Sequence, residues 1–195
     1  MQQPLEPKLS LVQQDGAADL VGLVNNAAML VGPAFGTTTL NQFDEYFALN
    51  TRAPFFLGQR LSAHMVKGAN IVNVSSVATK FSSPGDIVYA MSKATLEAMT
   101  FHAAEALAAH GIRINTLMPG FTDNGHEAFR NSKVRDFMSS FSALGGVADP
   151  TTIAEAVAFL VSSASARTTG AILDVSGGSA LGRRPANGSL TNLIG

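Results

Sequence analysis

Cysteine is absent from all 195 residues, which excludes disulfides, thiolate nucleophiles and zinc–thiolate sites together. Charge is scarce as well: Asp, Glu, Lys and Arg make up 14% of the chain, against about a quarter in an average domain. Neither sign dominates, since 13 Lys plus Arg face 14 Asp plus Glu, so no summed field draws the chain to nucleic acid or to an anionic membrane. The four histidines, His64, His102, His110 and His126, show no HExxH or other ligand spacing, and no metal is expected. His102 and His110 fall on or just after an Ala-rich helix and read as packed or solvated groups. No apolar run reaches the length of a membrane span, and the first residues lack a basic stretch followed by an apolar one; a cytoplasmic protein is expected. What is present instead is apolar. Hydrophobic residues make up 46% of the chain and glycine contributes 18, enough for a sizeable core in one domain of closely packed elements and tight turns.

Residues 20–24 form a short apolar run with the length and β-branching of a buried strand. From 40 to 66 the apolar positions recur at helical spacing, with Thr39 as cap, which predicts one long helix disturbed at Pro54. Residues 71–74 read as a second strand, 88–109 as a second long helix ended by Gly111, and 112–117 as a third strand. Mixed polar and aromatic residues over 121–146 read as a mobile excursion. Asp149-Pro150 opens a further helix through residue 161, and 171–175 is a fourth strand. Strands alternating with helices imply an α/β fold, a parallel sheet covered on both faces by right-handed crossovers. Ligands in such sheets sit at the carboxyl ends of strands, where Asn25-Asn26, Ser75-Ser76 and Pro119-Gly120 fall.

Tyr89 and Lys93 stand four apart near the start of a helix, so both project from one face. An ammonium near a phenol favours phenolate, which would make Tyr89 a usable proton donor and acceptor near neutral pH. The same pair also fits a plain solvated helix face. Ser76 precedes Tyr89 at the end of a strand, where its hydroxyl could polarise a carbonyl in the same cleft. Pro54 has no N–H to give the carbonyl four residues back, so Asn50 keeps a free carbonyl that could hold a water and link Lys93 to solvent. A kink that only bends the helix around the core fits equally.

These residues, with Leu23-Val24-Asn25-Asn26-Ala27-Ala28, Ile71 and the Tyr89-Ala-Met-Ser-Lys93 motif, resemble the short-chain dehydrogenase/reductase family in order and spacing from about residue 19 to 178. The resemblance implies a Rossmann-like, doubly wound parallel sheet and a Ser-Tyr-Lys-Asn site. In that site Ser76 orients and polarises the substrate, and Tyr89 is the acid/base. Lys93 lowers the phenol's pKa and holds the nicotinamide ribose, while Asn50 completes a proton relay. Asn25, Tyr89, Lys93, Pro119, Gly120 and Thr122 would contact NAD or NADP. Residues 121–146 correspond to the family's substrate lid, and 179–195 to a C-terminal tail.

The sequence departs from the family in three places. Ala28 replaces a glycine, Asn124 stands where the family often has threonine, and nothing resembles the family's TGxxxGxG turn, whose N–H groups and helix dipole hold the pyrophosphate. The fold is therefore expected to be an incomplete family domain over 1–195, without the first three strands and two helices. Loss of the partner strand would leave 20–24 as an open edge. Residues 175–184 imitate a strand and Gly-rich turn, yet their spacing is wrong for GxGxxG and Pro185 follows; they read as an ordinary terminal strand and tail.

The expected function is NAD(P)-dependent hydride transfer between nicotinamide and a small carbonyl or alcohol substrate, in a homodimer or homotetramer formed through the two long helices. The alternative is a non-catalytic fragment or pseudoenzyme acting through subunit association. An N-terminally truncated gene model of an ordinary reductase fits the intact Asn50, Ser76, Tyr89 and Lys93 set as well. The phenylalanines at 121, 129, 137 and 141 suit an apolar or acyl-like substrate and equally suit packing within the lid.

Overall fold

The computed structural model describes residues 19–30, 32–125 and 127–181. Residues 1–18 and 31, His126, Arg183, Arg184 and all of the tail beyond Leu181 lie outside the described residues. Four strands, β1 (Leu20–Asn25), β2 (Met65–Val74), β3 (Arg113–Pro119) and β4 (Ile172–Val175), form one sheet in chain order, with every neighbouring pair parallel. Helices α1 (Leu40–Phe47) and α2 (Ala53–Leu61) connect β1 to β2, and α3 (Ile87–Ala108) connects β2 to β3. The last crossover carries α4 (Ser132–Ser139) and α5 (Pro150–Val161).

Alternation along the strands sends successive side chains to opposite faces and so divides the core in two. Ile71, Ile112 and Ile114 pack with Met99, Ala103 and Leu107 under α3, whereas Val72, Leu117 and Leu160 pack with Ile153 and Val157 under α5. Helices thus cover both faces, as the alternation of strands and helices predicts. Among the described residues β1 has a neighbour on one side only, and Val21 and Val24 are 68% and 41% exposed.

The helix read over 40–66 is corrected in three respects. It ends at Leu61, a 3-10 turn occupies Ser62–His64, and Met65 already belongs to β2, which has ten residues instead of the four read at 71–74. Met65 misled because it packs against the core cluster and so satisfies a helical period as well as a strand. The disturbance is a π turn at Ala48–Arg52, just before Pro54, in which Ala53 N–H reaches back five residues to the Ala48 carbonyl. Pro54 then sits in the first turn of α2, where a missing N–H costs nothing and the wider turn relieves the ring's clash. The excursion at 121–146 is also more ordered than its composition implies: it holds a 3-10 turn (Glu127–Arg130) and α4, which Asn131 caps by accepting the Lys133 N–H at 3.0 Å.

A buried polar ladder crosses the α3 face near the carboxyl ends of the strands. Asn25 Nδ2 donates to Asn73 Oδ1 at 2.8 Å, Asn73 Nδ2 donates to Thr100 Oγ1 at 3.0 Å, and Thr100 Oγ1 lies 2.7 Å from Thr116 Oγ1. Parallel register makes this possible, since Asn25 pairs with Asn73 and Asn73 with Thr116. Thr100→Val keeps the shape of the side chain and removes its hydroxyl, leaving the buried Asn73 amide short of an acceptor. A loss of about 1–3 kcal/mol is expected. Urea unfolding measures it as a lower midpoint at unchanged slope; a midpoint equal to that of the parent would show that the ladder adds no stability.

Candidate active site

Ser76, Tyr89 and Lys93 come from two consecutive elements. Ser76 follows β2 with extended backbone (φ −160°, ψ 147°), and its Oγ accepts the Ala78 N–H at 3.2 Å, capping the 3-10 turn Val77–Thr79. Tyr89 lies in the first turn of α3 and Lys93 one turn later, where it is 2% exposed. Lys93 Nζ donates to the Val74 carbonyl at 2.7 Å and stands 5.9 Å from the centre of the Tyr89 ring. Burial lowers its pKa to about 8.

The Tyr89 phenol moves opposite to expectation. Burial raises its pKa and the nearby Asp86 and Tyr46 add to the rise, whereas the hydrogen bond with Ser76 opposes it. Burial outweighs the Ser76 bond, so the protonated, proton-donating form of the phenol is favoured.

Asn50 sits fully buried in the π turn behind this pair. Its Oδ1 accepts the Met29 N–H at 2.8 Å, and its Nδ2 donates to the Met29 carbonyl at 3.1 Å and to Ser92 Oγ at 2.9 Å. Ser92 Oγ in turn donates to the Tyr89 carbonyl at 2.8 Å. The Asn50 amide therefore ties the loop after β1 to the turn of α3 that carries Tyr89. Pro54, four residues on, has no N–H to offer the Asn50 carbonyl.

The remaining residues read from sequence also gather at the carboxyl ends of the strands, where several have a structural task of their own. Asn25 is 7% exposed and committed to the polar ladder. Gly120 follows Pro119 at the end of β3, and a Cβ there would stand 2.7 Å from the Ser176 carbonyl, so glycine is required by the approach of the next loop. Thr122 Oγ1 donates to the Gly120 carbonyl at 3.2 Å, and its backbone bridges to Ala148.

Three of the four phenylalanines of residues 121–146 pack together, with Phe141 as their centre. Its ring lies 5.4 Å from Phe121 and 5.2 Å from Phe137, and Phe81, from the loop after Ser76, joins at 5.3 Å. Beside this cluster is a cavity of about 510 Å³ lined by Phe121, Met138, Leu144, Val147, Ser176 and Leu181. Gly177 and Gly178, with φ of +65° and +83°, let the loop after β4 dock beneath residues 142–144. The Gly177 carbonyl there accepts from Leu144 N and Ser142 Oγ, both at 3.0 Å. Packing accounts for the Gly-rich turn at 176–178.

A family model described as enoyl-(acyl carrier protein) reductase matches residues 11–180. The chain belongs to the short-chain dehydrogenase/reductase family. Among curated members, it is 36% identical to the (3R)-3-hydroxyacyl-CoA dehydrogenase of Rattus norvegicus over 70% of this chain and 54% of that protein. It is 33% identical to the 3-oxoacyl-acyl-carrier-protein reductase FabG of Thermotoga maritima over 86% of this chain and 68% of the relative. Among solved structures, an angucycline C-6 ketoreductase, LanV with bound NADP, superposes with a TM-score of 0.83 at 42% identity, covering 89% of this chain and 67% of that one. The chain thus spans about half the length of the mammalian dehydrogenase it matches. No helix among the described residues is long and apolar enough to cross a membrane.

Membership in this family implies a nicotinamide cofactor, and the fit is uneven. Of the residues that the resemblance assigns to the nicotinamide half, Tyr89 and Lys93 lie in the first two turns of α3, Pro119 ends β3 and Thr122 follows it. At the pyrophosphate end, among the described residues, no strand runs through a glycine-rich turn into an α-helix; the paired glycines after β4 are packed against residues 142–144.

Proposed function

We propose that this chain carries the catalytic part of a nicotinamide-dependent oxidoreductase that interconverts a carbonyl and an alcohol. The convergence of Ser76, Tyr89 and Lys93 at adjacent strand and helix ends, with Asn50 behind them, supports this reading. The cofactor, when bound, supplies or accepts the hydride. The Ser76 hydroxyl donates a hydrogen bond to the substrate oxygen and polarises the carbonyl. Tyr89 delivers its phenolic proton to that oxygen and takes it back in the oxidising direction. Lys93, whose pKa of about 8 lies close to working pH, can return a proton to the phenolate, with the Asn50 carbonyl as the next station toward solvent. Tyr89, Lys93, Asn25, Pro119, Gly120 and Thr122 are the residues that would hold the nicotinamide half of NAD or NADP.

Residues 121–146 serve in this reading as the substrate lid, and the adjoining apolar cavity suits a substrate with a hydrophobic body. The outer faces of α1, α2 and α3 expose Leu40, Phe55, Phe56, Met91 and Phe101, a surface fitted to a second copy in a homodimer or homotetramer. Among the described residues β1 has a neighbour on one side only, which favours a second reading, in which the chain acts by associating with other subunits.

Titration with NADH and NADPH, followed by nicotinamide fluorescence, separates the strong and weak halves of the cofactor site. Weak, unsaturated binding is expected from the 195-residue chain, since its sequence has no TGxxxGxG turn. A tight saturable isotherm would overturn that expectation. Carbonyl-dependent oxidation of either cofactor at high concentration supports the enzyme reading, and its absence at demonstrated saturation favours the association reading.

A further inference from the structure

The Ser76 hydroxyl is aimed by its loop, and the loop is held from outside by one carboxylate that the proton-transfer scheme does not use. Glu97 lies one turn beyond Lys93 on α3 and draws donors from both sides of Ser76. Ser75 Oγ stands 2.9 Å from Glu97 Oε1, Thr79 Oγ1 stands 2.7 Å from the same oxygen, and Lys80 Nζ is paired with Oε2 at 2.6 Å. The Glu97 side chain is 11% exposed, so the two hydroxyl bonds are partly shielded from water, where a charged acceptor binds hydroxyls more firmly than a neutral one, while the bond to Lys80, 33% exposed, lies at the surface. Two weaker contacts run the same way. Ser75 Oγ is 3.3 Å from the Lys93 carbonyl, and Thr79 Oγ1 is 3.0 Å from the Ser76 carbonyl.

We propose that Glu97 is a positioning residue, whose carboxylate clamps the loop of residues 75–80 to α3 and so holds the Ser76 hydroxyl at the Tyr89 phenol. The inference rests on the reading that Ser76 and Tyr89 share the proton-transfer site. Both oxygens take part with separate tasks: Oε1 gathers the hydroxyls that flank Ser76, and Oε2 takes the ammonium at the loop's outer end. The Ser76 end of the site and its Tyr89–Lys93 end are thereby locked to one rigid helix.

The test reads the Tyr89 phenol directly and needs neither cofactor nor substrate. The chain has two tyrosines, so biosynthetic 3-fluorotyrosine gives two fluorine resonances, assigned with Tyr46→Phe and titrated against pH. The charged and titratable groups that bear on Tyr89 are Asp86, Tyr46 and the neighbouring Lys93; Tyr46→Phe serves only the assignment, and the Ser76 and Glu97 variants leave all three in place. Ser76→Ala removes the bond that favours phenolate and should move the Tyr89 titration upward. Glu97→Ala should move it by most of the same amount, and the double variant no further than Ser76→Ala alone. Glu97→Gln, which keeps an acceptor for both hydroxyls, should titrate close to the parent. A parent-like titration in Glu97→Ala, beside a displaced one in Ser76→Ala, overturns the role of Glu97. No displacement in Ser76→Ala removes the shared site itself, a different and separable failure. If Glu97→Ala does not fold, the pair Ser75→Ala and Thr79→Val releases the same clamp with the carboxylate intact; a parent-like titration there is equally decisive against it.

Discussion

Tyr89→Phe is expected to cut carbonyl reduction by this chain about 10²–10⁴-fold, the range over which a positioned proton donor contributes to rate. The substitution removes one oxygen. Phe keeps the ring that faces the Lys93 ammonium, and Asn50 and Ser92 grip the backbone of this turn rather than the phenol, so the geometry around position 89 survives. Cofactor binding, read by nicotinamide fluorescence, should be largely unchanged while turnover, read as loss of nicotinamide absorbance with a carbonyl substrate, disappears. Turnover that persisted in the variant would remove Tyr89 from the acid/base role. The upward displacement of the phenol's pKa adds a pH signature: the donor form persists through neutral pH, and reduction declines only on the alkaline side as the phenol ionises.

Lys93→Met should abolish turnover and stabilise the fold at the same time. A lysine that is 2% exposed, with its pKa lowered from 10.5 to about 8, disfavours the folded state by about 3 kcal/mol at neutral pH. The folded form binds the proton less tightly than the unfolded chain. The penalty is therefore complete below about pH 8 and shrinks as pH rises toward 10.5, so this residue makes stability increase across that window. Met fills the same space without a charge. It forfeits the 2.7 Å bond to the Val74 carbonyl, worth about 1 kcal/mol, which leaves a net gain of about 2 kcal/mol near pH 7. Denaturant melts of the parent and the variant at several pH values measure the difference, which should be largest at neutral pH and fade toward pH 10.5. A variant less stable than its parent at neutral pH would show that the ammonium is better accommodated than its burial implies. The trade is of the kind expected at working sites, where a group is kept for its chemistry against the interest of the fold.

Much of this architecture was legible in advance because strands buried on both faces advertise themselves as short apolar runs, and β1 and β3 lie within two residues of where such runs place them. The misreading at residues 62–70 arose where that signal fails. Met65 and Val66 satisfy helix and strand periods equally, and the early part of β2 has exposed Lys67 and Gly68 in place of a buried apolar run. The π turn was half legible. Pro54 announced a disturbance, and only the hydrogen bond from Ala53 N–H to the Ala48 carbonyl shows that the helix widens before the proline.

For the site, the sequence by itself determined which groups could do chemistry and in what order along the chain. Tyr89 and Lys93 share a face because a helix repeats every three to four residues, and Ser76 ends a strand because the apolar run stops there. What only the tertiary structure decided is how those groups are held and charged. The Asn25–Asn73–Thr100–Thr116 ladder, the bonds from Asn50 to Met29 and Ser92, and the Glu97 clamp all join residues far apart in the chain. The direction in which the Tyr89 phenol moved depended on burial and on Asp86 and Tyr46 nearby. Spacing along one element is a local property of the chain. Desolvation and long-range hydrogen-bond partners exist only after strand register and helix packing have brought distant segments together.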